Sequence, residues 1–405
     1  MTDRRQNAGR RPLDGVRVLE MGQLIAGPFA TSVLGYFGAE IIKIEPPKGG
    51  DPLRIWRALA DDGTSFWWRA MARNKKSVTL DLRTDEGRAI AKRLALKADV
   101  LVENFLPGRM EEWGLGPGDL KADNPKLVFT RISGYGQTGP NAQKPGYASV
   151  CEGFGGFRYV NGFPDRPPVR PNLSLGDTLA SFHAVIGILL ALVDRGKVGG
   201  EGQVVDVAIY EAVFAAMESI VPEYDGAGIV REPSGSTVTG IVPTNVYRCH
   251  DGQQVIIGGN GDSIFKRLMT AAGRADMADD PRLADNAGRV EHEAEIDAAL
   301  AAWTATLPGP EVIRVLEEVR VPVGPIYSVK DIVEDPQYAA RGMIETVEID
   351  GKPLKIPAIA PRLGDTPGRT DWPGPALGAH NDEVLGGLLG IDAEALTALR
   401  AKGVV

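Results

Sequence analysis

Short β-branched runs alternate with helical stretches through the first half of the chain, and this alternation constrains the fold more than any other feature. Residues 16–20, 40–44, 77–82, 99–105 and 127–133 read as strands. Residues 28–37 read as a helix stopped by Gly38, and 85–97 as a well-patterned helix. Such an order implies an α/β protein with a mainly parallel sheet and helices on its faces. Ligands of these sheets bind beyond the carboxyl ends of the strands. The loops after Glu20, Leu82, Phe105 and Ser133 are therefore the places to search.

Further along, residues 178–194 form a strongly apolar helix, and 203–207 a strand leading into a helix over 210–219. Residues 225–244 are rich in Gly, Ser, Thr and Pro and read as a linker or loop. A strand at 254–257 and helices near 263–272, 295–306 and 310–319 follow, as a smaller helical domain would require. Asp350-Gly351 marks a hairpin turn within 344–356, and a short helix over 393–401 ends the chain.

Composition removes several classes. The 405 residues carry 45 Lys plus Arg and 53 Asp plus Glu, a formal balance of 45 − 53 = −8, without a basic block, so nucleic acid is not an expected partner. The longest apolar run, residues 184–193, falls short of the ~20 residues of a membrane span, so no membrane partner is expected either. The Arg-rich first eleven residues lack the apolar centre of a secretory signal. Two cysteines, Cys151 and Cys249, make no disulfide framework and imply a cytoplasmic location. His183, His250, His292 and His380 are scattered away from metal-ligand spacing, and no metal is expected.

Gly134-Tyr-Gly-Gln-Thr-Gly139 fits a dinucleotide-binding pattern after a strand, but Pro140 and Pro145 deny it the helix that must hold the pyrophosphate. It reads as a Gly-rich loop. Asp177 is more informative: it stands between Gly176 and the long apolar helix. One reading is an ordinary N-cap. The other starts from the same physics, because a helix N-terminus keeps a carboxylate ionised and Gly176 lets a bulky substrate approach. Beside apolar walls such a carboxylate can act as a nucleophile and form an acyl anhydride. Local sequence leaves both open. Asn74, Lys75, Lys76, Arg83, Arg109, Arg131 and Lys144 fall in or near loops following strands; they read either as cations gathered for a phosphorylated ligand or as solvated surface charge.

Taken together, seven segments resemble the family III CoA-transferases (the CaiB/BaiF family), the group of carnitine-CoA and formyl-CoA transferases. They are Pro12-Leu-Asp-Gly-Val-Arg-Val-Leu-Glu20, Ala26-Gly-Pro-Phe29, Phe37-Gly-Ala-Glu-Ile-Ile-Lys-Ile-Glu45, Asn74-Lys-Lys-Ser77, Asp99-Val-Leu-Val-Glu-Asn-Phe105, Gly134-Tyr-Gly-Gln-Thr-Gly-Pro140 and Gly200-Glu-Gly-Gln-Val-Val-Asp206. The likeness extends over nearly the whole chain, including residues 375–384. It implies a CoA-transferase in which Asp177 stands at the catalytic aspartate. Asp177 would attack an acyl-CoA thioester, pass through an anhydride and an aspartyl-CoA thioester, and hand CoA to a carboxylic acid. No cofactor is implied, the CoA thioester being a substrate.

The resemblance places Leu24, Ile25 and Ala26 near the thioester, Leu80, Arg83, Asn104 and Phe105 along CoA, Arg109 at a phosphate, and Tyr147 with Gly176 beside Asp177. Where formyl-CoA transferases carry a glutamine in the first turn this chain has Ile25. Pro46 replaces an arginine, and Ala148 an acidic residue, which puts oxalate and formyl-CoA in doubt. Gly235-Ser-Thr237, Pro243-Thr-Asn-Val-Tyr247 and the run from Val255 to Phe265 look most like members that take CoA from succinyl-CoA to dicarboxylic acids such as malate, mesaconate, itaconate, glutarate or benzylsuccinate. Arg170 would hold a distal carboxylate. Two alternatives share the scaffold. One is an α-methylacyl-CoA racemase, although Tyr147 occupies the position of its histidine. The other is a non-catalytic acyl-CoA binding protein.

The resemblance also implies a Rossmann-like large domain built from both chain ends and a smaller inserted domain, in an interlocked homodimer. Residues 1–224 would form the first part of the large domain with a linker from about 209. Residues 225–328 would form the small domain, and 329–405 the return linker and the rest of the large domain. Extended crossings are expected around Asp225 and Val329.

Overall fold

A computed structural model describes residues 9–405. The chain divides into two compact units: one takes in the chain up to Phe157, Pro171–Met217 and Gln337–Val405, the other Arg158–Arg170 and Glu218–Pro336.

The first unit is built on six strands, β1 (Arg17–Glu20), β2 (Glu40–Glu45), β3 (Lys75–Thr79), β4 (Val100–Glu103), β5 (Val128–Ser133) and β6 (Val204–Ala208). All neighbours pair in parallel, in the order β3-β2-β1-β4-β5-β6. Parallel sheets need cover on both faces, and the strand sequences supply apolar residues to both. Leu19, Ile42, Leu101 and Phe129 face one core with Ile90 and Leu94 of the Asp85–Ala95 helix and with Val384 and Leu385. Their chain neighbours Val18, Ile41, Val100 and Val128 face the other, against Ala30 and Leu34 of the Ala26–Tyr36 helix and Ala180, Ala184, Ile188 and Ala191 of the Leu175–Arg195 helix. The alanines recur four and seven residues apart, so a narrow stripe of small side chains lets that long helix lie close to the sheet.

The Leu175–Arg195 helix is long and apolar enough to cross a membrane, a property that the length of its longest uninterrupted apolar run understated. Its small-residue stripe is nonetheless buried in the unit, while Phe182, Ile186, Leu190 and Val193 on other faces are exposed. Beyond the Ala26–Tyr36 helix the chain turns at Gly38, whose φ of +110° suits glycine; a Cβ there would lie 2.6 Å from Asp14. The edge strand β3 is covered by the C-terminal segment. The Thr79 amide donates to Asn381 Oδ1 (2.9 Å), His380 N to Ser77 O (3.0 Å) and Gly378 N to Ser77 Oγ (2.9 Å). That cover satisfies an edge otherwise open to pairing. The hairpin forms as expected, from β10 (Ile344–Ile349) and β11 (Lys352–Pro357) around Asp350 and Gly351, both at positive φ; they follow the three strands of the second unit.

Those three are β7 (Thr244–Arg248), β8 (Gln254–Gly258) and β9 (Val323–Pro325), an antiparallel sheet against helices Asp262–Ala271, Glu293–Thr304 and Gly309–Glu318. Their shared core includes Tyr247, Val255, Phe265, Leu268, Leu300 and Leu316. The fully buried Arg289 donates to the carbonyls of Val242 (3.1 Å), Leu283 (3.1 Å) and Asn260 (2.8 Å) and to Asp262 Oδ1 (2.7 Å).

Two local expectations fail. Asp225 and Val329 do not sit in extended crossings: the first lies within the helix Ile220–Ala227 and the second opens the helix Val329–Glu334. Ser328 and Asp331 form a capping box there, a local signal strong enough to start a helix. Asp262 is the first residue of its helix, and Gly261 holds the cap position.

Candidate active site

The strand order reverses between β1 and β4, and ligands of such sheets bind beyond the carboxyl ends of the strands at a point of this kind. One side chain ties them together. Asn104, just past β4, accepts from Gln23 N (2.8 Å) and donates to Gln23 O (2.7 Å). Gly22 is required beside it, since a Cβ would come within 2.9 Å of Asn104 Oδ1. Asn104 is thus a brace for the turn after β1. Asn104→Ala, which removes both bonds, is expected to cost about 2 kcal/mol of stability, read by denaturant unfolding. An unchanged midpoint would show that the brace carries no weight.

Ile25 occupies the N-cap position of the Ala26–Tyr36 helix, and both Ile25 and Ala26 are buried. Ala26 O lies 2.7 Å from Ser181 Oγ, a buried hydroxyl that is also 2.7 Å from Asp177 O. Ser181 therefore stitches the turn after β1 to the turn that carries Asp177. The structure corrects the N-cap reading of Asp177. The helix starts at Leu175, Ser174 takes the cap position without a side-chain cap bond, and Asp177 sits half-buried inside the first turn. The favourable field of the helix N-terminus still acts on it there.

Gly176 is buried and lets the Ala148–Phe154 helix close in: a Cβ would meet Ile209 Cγ2 at 3.2 Å and Ala148 O at 3.3 Å. Its amide donates to Glu152 Oε1 (3.2 Å), a fully buried carboxylate from that neighbouring helix. Cys151 lies beside both acids. Burial pushes its thiol up to about 11, and the charges of Asp177 and then Glu152 act in the same direction. Tyr147, at the N-cap position of the Ala148–Phe154 helix, is 75% exposed.

Around Glu20 lies a buried ionic network. Glu20 at the end of β1 pairs with Lys43 (2.6 Å) and Lys75 (2.8 Å), and Lys43 pairs also with Asp51 (2.8 Å). Glu45 accepts from Arg54 (2.7 Å), Ser77 Oγ (2.6 Å) and Asp51 N (3.0 Å). Three carboxylates and three cations balance one another. Burial alone would raise the Glu20 carboxyl, but Lys43 and Lys75 outweigh it and hold it down at about 2. Burial pushes Lys75 down to about 8, Glu20 offsetting only part of the effect. Free ends of the network reach backbone: Lys43 donates to Gly22 O (2.9 Å) and Lys75 to Pro28 O (2.6 Å).

This geometry corrects the basic constellation. Lys75 and Arg131 are strand residues consumed in buried pairs, Arg131 with Glu103 (2.8 Å) and Glu111 (2.6 Å). Asn74 is buried and donates to Gly35 O and Arg369 O, and Lys76 pairs with Glu40 and Glu383. Leu80 is core, and its amide donates to Glu45 O (2.9 Å). Arg83 is 82% exposed and pairs with Asp81 (2.7 Å). Half-exposed Arg109 pairs with Glu112 (2.6 Å) and lies 5.9 Å from the Trp113 ring. Phe105 stacks edge-on against the same ring (5.1 Å), and its amide donates to Glu103 Oε2 (2.7 Å). Burial raises the Glu103 carboxyl to about 7 despite that bond and Arg131. Arg170 is exposed in the second unit.

Asn104 thus braces Gln23 in the turn after β1, and the Ser181 hydroxyl, with one proton for two acceptors, sits between the backbone carbonyls of Ala26 and Asp177. Ser181, Glu152 and the ionic network were not expected from the sequence. Lys43 within Ile-Ile-Lys-Ile-Glu was the one available sign, a charge inside a run otherwise suited to a buried strand.

Comparisons with known proteins agree with one another. The model of CoA-transferase family III matches residues 13–381. The succinyl-CoA–D-citramalate CoA-transferase of Chloroflexus aurantiacus is 48% identical over 396 residues, 98% of each chain. The alpha subunit of a succinyl-CoA–L-malate CoA-transferase from Chloroflexus aurantiacus is 42% identical, over 97% of this chain and 92% of that one. The crystal structure of a CAIB/BAIF family protein from Brucella suis superposes with a TM-score of 0.81 at 34% identity, covering 94% of this chain and all of that chain.

Proposed function

Because the chain belongs to the family III CoA-transferases, we propose that it moves CoA from succinyl-CoA to a dicarboxylic acid, with Asp177 carrying first the succinyl group and then CoA. The observation that carries this reading is the single hydroxyl of Ser181, which joins the turn of Asp177 to the switch-point turn after β1. The names of the two Chloroflexus relatives support the donor and the class of acceptor.

Each exchange keeps an activated acyl group, as a thioester or as an anhydride. The Asp177 carboxylate adds to the succinyl-CoA carbonyl, the C–S bond breaks, and CoA leaves as thiolate. The thiolate then attacks the aspartyl carbonyl of the anhydride, releasing succinate and leaving an aspartyl-CoA thioester. The acceptor carboxylate attacks that thioester, forming a second anhydride and freeing the thiolate again. Thiolate attack on the acceptor's acyl carbon gives the new CoA ester and returns Asp177 as carboxylate. No proton need be transferred and no cofactor takes part. Water must be kept from the anhydride; buried Ile25, Ala26 and Gly176 supply apolar walls. On this reading Phe105, Arg83 and Arg109 meet the CoA moiety, Leu80 offers it backbone alone, and Tyr147 stands over the acyl site. The test is exchange between succinyl-CoA and a panel of dicarboxylates; transfer to none of them would exclude this specificity.

The same reading makes the protein a cytoplasmic, interlocked homodimer whose large domain draws on both chain ends. The exposed apolar residues Phe182, Ile186, Leu190 and Val193 support a second subunit, and the buried free thiols Cys151 and Cys249 a reducing compartment. Light scattering after size exclusion is expected to give twice the 43.2 kDa chain mass. A species at the chain mass itself would contradict the dimer.

A further inference from the structure

Leu24 has a φ of +66°, a left-handed backbone conformation that costs a bulky residue and persists only where its surroundings impose it. The surroundings here are explicit. The Leu24 amide donates to both oxygens of the Asp51 carboxylate (3.2 Å each). Asp51 is fully buried; it caps the next turn by accepting from Leu53 N (2.9 Å) and is pinned by Lys43 (2.8 Å). Lys43 in turn holds Gly22 O, and Asn104 holds both backbone groups of Gln23. Every residue from Gly22 to Leu24 is therefore gripped through its backbone by a side chain from another segment: Lys43 of β2, Asn104 beyond β4 and Asp51 beyond β2. The residue immediately after Leu24 enters the Ala26–Tyr36 helix, and Ala26 is the one that Ser181 joins to Asp177.

We propose that Asp51 is a positioning residue for the transfer reaction, holding Leu24 left-handed so that the Ile25–Ala26 step is presented to an acyl group on Asp177. This rests on the acyl-carrier reading of Asp177. Asp51 touches no substrate; it acts through a peptide N–H, and its effect should fall on turnover more than on binding. A displacement of the turn by an ångström is enough to cost about a hundredfold in rate.

The experiment compares kcat and KM for succinyl-CoA exchange in variants at both positions. Asp51→Ala is expected to lower kcat by about tenfold to a hundredfold while KM for the donor moves less than about threefold. Asp51→Asn, which keeps one acceptor for the Leu24 amide, should recover part of that loss. Adding Leu24→Gly to Asp51→Ala should raise kcat, because glycine reaches positive φ without a clamp. A purely structural role for Asp51 predicts no such rescue. If Asp51→Ala does not fold, the comparison of Leu24→Val with Leu24→Asn decides: a β-branched residue resists the left-handed region and asparagine tolerates it. Valine should then be at least about fivefold slower than asparagine. Equal kcat for the two, or wild-type kcat in folded Asp51→Ala, overturns the proposal. Asp177→Ala in the same assay judges the parent reading separately: wild-type turnover there removes the acyl carrier, whereas the Leu24 pair reports on the turn whatever group carries the acyl.

Discussion

Replacing Asp177 with alanine is expected to lower CoA exchange by about a thousandfold or more, because no other group then accepts the acyl chain. Asparagine should fare no better, since an amide cannot form the anhydride. The fold should hardly notice. Asp177 is half-buried in the first turn of its helix, where the favourable helix-end interaction that either substitution removes is worth about 0.3–1 kcal/mol. Steady-state exchange and thermal unfolding measured on the same preparations separate the two effects. Wild-type turnover in the alanine variant would refute the proposed chemistry, and a large loss of stability would mean that the turn around Gly176 and Asp177 is structural.

The second large effect concerns Glu20. Glu20→Gln keeps the shape but removes the one charge shared by Lys43 and Lys75, leaving two buried ammonium groups with Asp51 as the remaining direct counter-ion. Breaking a buried ionic group from one side costs about 3–5 kcal/mol. The pH dependence follows from the same pairing. The folded carboxyl lies at about 2, below its unfolded value of 4.5. Its contribution, on the order of 3 kcal/mol, is therefore present above pH 4.5 and is lost as the pH falls from there through about 2. Urea unfolding at neutral and acid pH should show Glu20→Gln much less stable at neutral pH, with the gap to wild type closing toward pH 2. A gap that stays constant with pH would mean that Glu20 contributes through shape rather than charge.

Much of this architecture was legible in the chain. Strands buried on both faces are rich in apolar and β-branched residues, and each of the strands expected in the first half forms within a few residues of its expected bounds. Asp350-Gly351 turns where its φ preferences require. The missed features depend on pairing between distant segments. Lys75 looked like a loop cation because nothing local marks Glu20 as its partner, and β3 starts at Lys75 rather than two residues later because that pair allows a lysine inside a sheet. Asp177 looked like a cap because Asp favours caps; the helix instead begins at Leu175, with Gly176 N satisfied by Glu152 from another helix. Residues 225–244 looked like linker throughout, yet Ile220–Ala227 is helical and β7 begins at Thr244, where packing against β8 and the Glu293–Thr304 helix overrides a Gly- and Pro-rich composition.

The family likeness constrains the chemistry, while the acyl-carrying role of Asp177 depends on a covalent adduct that can be caught directly. The enzyme, mixed with succinyl-CoA without acceptor and quenched with hydroxylamine, should yield a hydroxamate on the peptide that bears Asp177, detected by mass spectrometry and dependent on the thioester. A protein that exchanges CoA at full rate while that peptide stays unmodified, or that carries the adduct on another side chain, would contradict the account.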